Sequence, residues 1–246
     1  MTEPGAPRPV RTFGRIKSRT LKPRQAERLE TILPSLSLPL APFEPRAIMP
    51  VASEIWLEIG FGGGEHLAAQ AARRPDVLFL GVEPFLNGVA SALRHIDEGA
   101  LGNVRLHVGD ARDLMARLPT ACLSRLFILF PDPWPKARHQ KRRLVGAAFI
   151  SEAARLLAPG GRLRFATDWA DYAEQVQGLF LTARQFEVMT QGDGAPADHV
   201  TTRYEEKRLG DCAPVWLDFK RLESEAGDAD VRNATAPLSV APGRPS

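Results

Sequence analysis

The chain of 246 residues has only 2 cysteines, which allow at most one bridge and exclude a secreted scaffold stapled by disulfides. It has no uninterrupted apolar run of the roughly 18 residues that a membrane-spanning helix needs. Residues 1–10 lack the apolar centre and cleavage pattern of a secretory signal, so the expected compartment is the cytoplasm and no membrane association is expected. The histidines (His66, His95, His107, His139, His199) lack the spacing of metal ligands, and no metal is expected. Cys122 and Cys212 have no partner motif and read as inert thiols. There is no internal repeat. Asn233-Ala234-Thr235 matches a glycosylation acceptor, but without a secretory signal the match reads as chance.

With 44% hydrophobic and 25% charged residues the composition is that of an ordinary globular protein. The length suits one domain with tails, or two small ones. Net charge is a bland +3, but its distribution is uneven: residues 1–28 carry a net +6 and residues 132–143 a net +4, leaving −7 for the remainder. An acidic body with two basic segments fits a protein that meets a polyanion locally, although basic termini also serve as solubilising tails. Residues 1–50 read as a basic, Pro-rich arm, with a short helix from Gln25 and an extended linker from Leu36 to Pro50. Residues 51–222 read as the folded domain and 223–246 as a disordered tail.

Within the domain, apolar runs alternate with helical spacing. Strands are predicted at Glu54–Ile59, Val77–Val82, Val104–Val108, Arg125–Phe130 and Arg162–Ala166, with later candidates at Phe186–Thr190 and Val215–Lys220. Helices are predicted at Glu65–Arg73, Leu86–Glu98, Ala111–Arg117, Arg143–Leu157 and Asp171–Arg184, with Pro159-Gly160-Gly161 as a stop. The alternation predicts an α/β fold with a mostly parallel sheet and helices on both faces. The last two strands, with no clear helix between them, predict an antiparallel edge.

The first strand runs into Glu58-Ile59-Gly60-Phe61-Gly62-Gly63-Gly64 and then a helix, a turn that lets a ligand lie against the backbone at a helix N-terminus. Glu83 ends the second strand, placed to accept ribose hydroxyls. Asp110 follows the third, placed to bind the amine of an adenine. Such strand ends are where open α/β sheets bind ligands, and the set suits an adenosine-containing cofactor. Glu65 stands where a dinucleotide fingerprint places its third glycine, next to a pyrophosphate. That favours S-adenosylmethionine over NAD, as does Glu58, which suits a cationic ligand. After the fourth strand comes Pro131-Asp132-Pro133-Trp134, then Lys136, Arg138, His139, Lys141, Arg142 and Arg143. A carboxylate aimed by prolines, a ring on which a base can stack, and cations for phosphates suit a nucleobase within a nucleic acid. A rigid turn followed by a solvated basic helix start is the plainer alternative.

These stretches, with Ala166-Thr167-Asp168-Trp169 and Thr202-Arg203-Tyr204-Glu205, resemble the bacterial tRNA (guanine-N7-)-methyltransferases over roughly residues 10–222. The resemblance implies a Rossmann-like S-adenosylmethionine-dependent methyltransferase fold and methylation of guanine-46 in the tRNA variable loop, with S-adenosylmethionine as cofactor and tRNA as partner. It implies no obligatory protein partner, and a monomer or weak homodimer. It implies that Glu58, Gly60, Gly62, Glu83, Asp110 and Asp132 line the cofactor site, with Asp132 also catalytic. Lys136, Asp168, Thr202, Arg203, Tyr204 and Glu205 would contact the target nucleotide; Arg138, His139, Lys141, Arg142 and Arg143 would lie against RNA. Asp168 also suits a helix N-cap. The sequence departs from the family where Arg203 and Tyr204 replace the usual Lys and Phe, and where Pro135 replaces a common His. Other readings are an adenine-N6 or cytosine-N4 methyltransferase, a non-catalytic RNA-binding module on this fold, and an NAD-dependent oxidoreductase.

Overall fold

The computed structural model describes residues 20–192 and 194–223. Most of the basic N-terminal segment and nearly all of the C-terminal tail therefore lie outside the described residues. In chain order the elements are α1 (Pro23–Thr31), α2 (Leu33–Leu36), α3 (Pro45–Ile48), β1 (Glu54–Ile59), α4 (Glu65–Arg73), β2 (Val77–Val82), α5 (Leu86–Glu98), β3 (Val104–His107), α6 (Ala111–Met115), β4 (Leu123–Leu129), a 3-10 turn (Ala137–Arg142), α7 (Ala147–Leu156), β5 (Leu157–Thr167), α8 (Ala170–Thr182), β6 (Phe186–Gly192), α9 (Arg203–Glu206) and β7 (Val215–Arg221).

The strands form one seven-stranded sheet in the order β3-β2-β1-β4-β5-β7-β6. β1 to β5 pair in parallel, and β7 runs antiparallel between β5 and the edge strand β6. Every residue of β2 is buried, as expected of a central parallel strand covered on both faces. The period of two sorts the side chains into two cores. Ile55, Leu57, Leu78, Leu80, Leu126 and Ile128 join the core that holds α7 and α8, whereas Trp56, Phe79 and Phe127 join the core that holds α4 and α5. Glu58, in phase with Trp56, is therefore turned toward α4.

The order of strands reverses between β1 and β4, so a crevice opens outside their carboxyl ends. The glycine loop shapes its floor. Gly64 precedes α4 with φ +81°, and a Cβ there would come within 2.8 Å of the Ala92 Cα. Gly88 on α5 lets that helix press against the loop, since a Cβ would approach the Gly62 carbonyl oxygen to 2.4 Å.

Three stretches differ from the sequence-based expectation. Residues 36–50 are not an extended linker: Leu36 and Leu38 are buried, Ser37 bridges to Leu106 of β3, and prolines in the first turns of α2 and α3 start helices rather than prevent them. Residues 143–146 are not helical, because α7 begins only after Gly146 and the Arg143 side chain turns inward. β5 starts at Leu157 rather than Arg162, and residues 158–161, including Pro159-Gly160-Gly161, bulge out of the pairing, which steps from Leu123–Leu157 to Arg125–Arg162.

Candidate active site

The crevice is a cavity of about 1000 Å³, walled by the glycine loop, the ends of β2 to β4, the Asp132 loop and α9. Glu58, Gly60, Gly62, Glu83, Asp110 and Asp132, all expected at a cofactor site, line it together.

Backbone groups close by hold two of the carboxylates. Glu83 is buried, and its two oxygens accept from the Gly62 N–H at 2.9 Å and the Phe85 N–H at 2.9 Å. Burial pushes its carboxyl up to about 7; those two N–H groups oppose the shift, and the charges of Asp132 and Glu58 add to it. Asp110 caps α6 by accepting from the Arg112 N–H at 2.9 Å, and it pairs with the Arg112 guanidinium at 3.1 Å. Glu58 accepts from Nδ1 of buried His66 at 2.8 Å.

Asp132 stands on a loop with two residues in the left-handed region, Phe130 at φ +51° and Trp134 at φ +42°. Such backbone costs on the order of 1–3 kcal/mol per residue and concentrates at functional sites. Long-range bonds hold it: the Phe130 N–H donates to the Ala166 carbonyl at 2.8 Å, and Nε of Arg143 donates to the Pro133 carbonyl at 2.7 Å. The Asp132 carboxylate has no hydrogen-bond partner among the described residues, and its surroundings push its carboxyl upward by desolvation. Trp134 lines the cavity beneath the Arg142 guanidinium, 4.9 Å from the ring centre.

Opposite, Thr202, Arg203, Tyr204 and Lys207 form the α9 wall. Tyr204 packs on Phe130 at 5.8 Å between ring centres, and Arg203 reaches across to Glu65 at 3.3 Å.

Several expected residues are placed otherwise. Arg143 does not lie at an RNA surface: it is 5% exposed, donates to Gln175 and Asp171 at 2.6 Å each, and lies against Tyr172. It is the bolt that holds the Asp132 loop. Asp168 is buried outside the cavity wall, with Oδ1 unpartnered among the described residues and its carboxyl shifted upward by burial. It does not cap α8 either, since the Ala170 N–H donates to Asp211. Glu205 also points away from the cavity, toward His199 and Thr202. Lys136, Arg138 and Lys141 are exposed on and beside the 3-10 turn, with His139 against the edge of Trp134 at 6.0 Å. Sequence reasoning missed His66, His199 and Lys207; only the spacing of His66 and Gln70 on one face of α4 hinted at a buried polar pair.

The cavity can hold a nucleoside whose hydroxyls meet carboxylates, with positive charge next to Glu58 and Asp132. Glu65, at the start of α4, lines the place where a pyrophosphate would sit. This acceptor-rich donor set fits a phosphate-free, cationic cofactor such as S-adenosylmethionine.

Residues 52–216 match the family model described as a putative methyltransferase. The tRNA (guanine-N(7)-)-methyltransferase of Caulobacter sp. (strain K31) is 61% identical over 226 residues, 90% of this chain and 100% of the relative. The enzyme of the same name from Hyphomonas neptunium is 50% identical, over 86% of this chain and 99% of its own. Among solved structures, the 16S rRNA methyltransferase KamB superposes with a TM-score of 0.54 at 14% identity, covering 72% of this chain and 92% of its own. A 16S rRNA (adenine(1408)-N(1))-methyltransferase from Catenulisporales acidiphilia, solved with cosubstrate SAM, gives 0.52 at 20% identity, covering 73% and 90%. At such identities the two structures establish the fold alone.

Proposed function

The chain belongs to the tRNA (guanine-N(7)-)-methyltransferase family, and from that membership we propose how its own residues act. It transfers a methyl group from S-adenosylmethionine to N7 of guanine in tRNA, giving 7-methylguanosine. The target is guanine-46 of the variable loop, and the enzyme works in the cytoplasm as a monomer or weak homodimer without an obligatory protein partner. The observation that carries this reading is a single cavity joining the acceptor-rich glycine-loop end to Asp132, Trp134 and the α9 wall.

The cofactor supplies a methyl group already activated by its sulfonium. Guanine N7 carries a lone pair and no proton, so no general base is required there and the protein's task is mainly positioning. Glu83 accepts the ribose hydroxyls, Asp110 the adenine amine, and Glu58 faces the amino-acid end. The base gains positive charge as it is methylated, and ionised Asp132 stabilises that charge as it develops. Guanine presents N1–H and an N2 amine as donors, which a carboxylate can accept together and so reject adenine. Asp132 and Asp168 are the groups for this, with Asp132 nearer the methyl. Asp168 and Glu205 do not line the cavity: contact of Asp168 with the base requires its loop to shift, whereas Glu205 serves the base through the α9 wall that it caps. Trp134 gives the base a stacking face. Lys136, Arg138, His139, Lys141 and Arg142 meet phosphates.

The test is to incubate the protein with S-adenosylmethionine and unmodified tRNA, digest, and identify nucleosides by mass. 7-Methylguanosine is expected, and it should disappear when guanine-46 is replaced. N6-methyladenosine or N4-methylcytidine instead would overturn the reading.

A further inference from the structure

Behind the cavity wall lies a buried polar chain that links the cofactor end to the α9 loop. On α4, Nδ1 of His66 donates to Glu58, so Nε2 of His66 is left to accept, and Gln70 donates to it at 3.3 Å. The Gln70 amide also donates to the Asp198 carbonyl at 2.6 Å, and Arg73 donates to the same oxygen at 2.9 Å. The Asp198 carboxylate is held by Arg164 at 2.6 Å and Arg125 at 3.4 Å. Residue 198 is thus pinned from both sides, and the next residue is His199.

The His199 ring is clamped between His66 (centroids 5.8 Å apart, stacked) and Trp216 (4.4 Å, edge to face), with its side chain 5% exposed. Its Nε2 lies 2.9 Å from both oxygens of Glu205. Burial alone would raise the Glu205 carboxyl, but the bonds from His199 and Thr202 outweigh it and hold Glu205 below the usual carboxylate range. An ionised carboxylate only accepts, so His199 must carry its proton on Nε2. Nδ1 is buried and has no hydrogen-bond partner among the described residues. Glu205 in turn accepts from the Thr202 N–H at 2.8 Å and closes the capping box of α9. A helix of four residues cannot hold its shape alone.

We infer that His199 is the positioning residue of the α9 wall. Its Nε2–H fixes Glu205, and through Glu205 it sets where Thr202, Arg203, Tyr204 and Lys207 stand in the cavity. His66 and Asp198 fix His199 in turn. The inference rests on the proposed function for what the wall contacts, but not for how the wall is held.

Two substitutions separate the donor from the ring. His199→Phe keeps a ring between His66 and Trp216 and removes the donor. His199→Gln restores an N–H at the position of Nε2 and removes the ring. The expected loss for His199→Phe is about ten- to a hundredfold in kcat/KM for tRNA, the scale of one hydrogen bond to a charged group. Its Kd for S-adenosylhomocysteine should stay at the wild-type value, and His199→Gln should recover most of the activity. Trypsin should cut His199→Phe faster than wild type after the exposed Arg203, Lys207 and Arg208, with His199→Gln again close to wild type. Equal activity and equal trypsin resistance of His199→Phe and wild type would overturn the inference. So would equal impairment of both variants, which would assign the effect to ring packing, or a parallel loss of cofactor affinity. If wild-type protein forms no 7-methylguanosine, the functional reading fails, while the trypsin comparison still decides the role of His199.

Discussion

The two halves of the cavity are held in different ways. On the glycine-loop side, Glu83 and Asp110 take their N–H donors from the glycine loop and from residues two places along the chain. On the α9 side, Asp132 is positioned through Arg143, which is tied to Asp171 and Gln175 about thirty residues away, and α9 through Asp198, which is tied to Arg164, Arg125 and Arg73. The first half is built from backbone geometry that any folded βαβ unit supplies. The second depends on particular side chains meeting after the sheet has formed. Substitutions on the α9 side should therefore propagate to distant residues, whereas those on the glycine-loop side should act locally.

The largest effect should come from Asp132 itself. Asp132→Ala should reduce transfer by about a hundredfold or more, the scale of one charge-stabilising group, with the melting temperature and S-adenosylhomocysteine affinity little changed. Near-normal turnover of the folded variant would remove Asp132 from the mechanism. Next is Arg143, whose loss tests the long-range half. Arg143→Ala should cost about 3 kcal/mol of stability, the lower end for breaking a buried pair, since Asp171 is partly exposed. It should also lower turnover below the melting transition, because the Pro133 carbonyl loses its donor. A surface role for Arg143 would instead leave denaturant unfolding unchanged.

The pH dependence of Glu83 probes the local half. Its carboxyl lies at about 7 in the folded protein against 4.5 without the fold, so between those values the folded state binds the extra proton. The free protein therefore loses stability as pH rises from about 4.5 to about 7, and keeps the Glu83 contribution below that window. Affinity for S-adenosylhomocysteine should run the opposite way, falling by up to about tenfold per unit below pH 7, as the protonated carboxyl stops accepting a hydroxyl. Calorimetric titration across pH 5.5 to 8 checks both signs. The smallest effect belongs to the exposed cations: Lys141→Ala should leave stability unchanged and reduce the salt slope of tRNA binding by about one.

The strand ends were legible because each is a local event. An apolar run buried on both faces, a glycine turn and an acid at the strand end can be read in order along the chain. The Pro131–Trp134 run was legible for the same reason, since prolines act on their immediate neighbours. The error at Arg143 has the opposite origin. Five cations within eight residues look alike in sequence, and only the packing of α8 against the Asp132 loop decides that Arg143 turns inward while Arg138 and Lys141 stay in solvent. Residues 36–50 misled similarly. Their prolines suggested an extended linker, but Leu36 and Leu38 found apolar partners on the sheet.

By itself, the sequence determined the alternation of strands and helices, the mostly parallel sheet with its antiparallel edge, the acids at the strand ends and the proline-flanked Asp132, because nearest-neighbour backbone constraints and hydrophobic period decide these. Only the tertiary structure decided which polar groups pair. His66 and His199 are far apart in the chain, yet their rings stack, and Glu205 turns to His199 rather than into the cavity. A buried donor or acceptor must take whichever partner the finished packing brings within reach, and no local pattern encodes that choice.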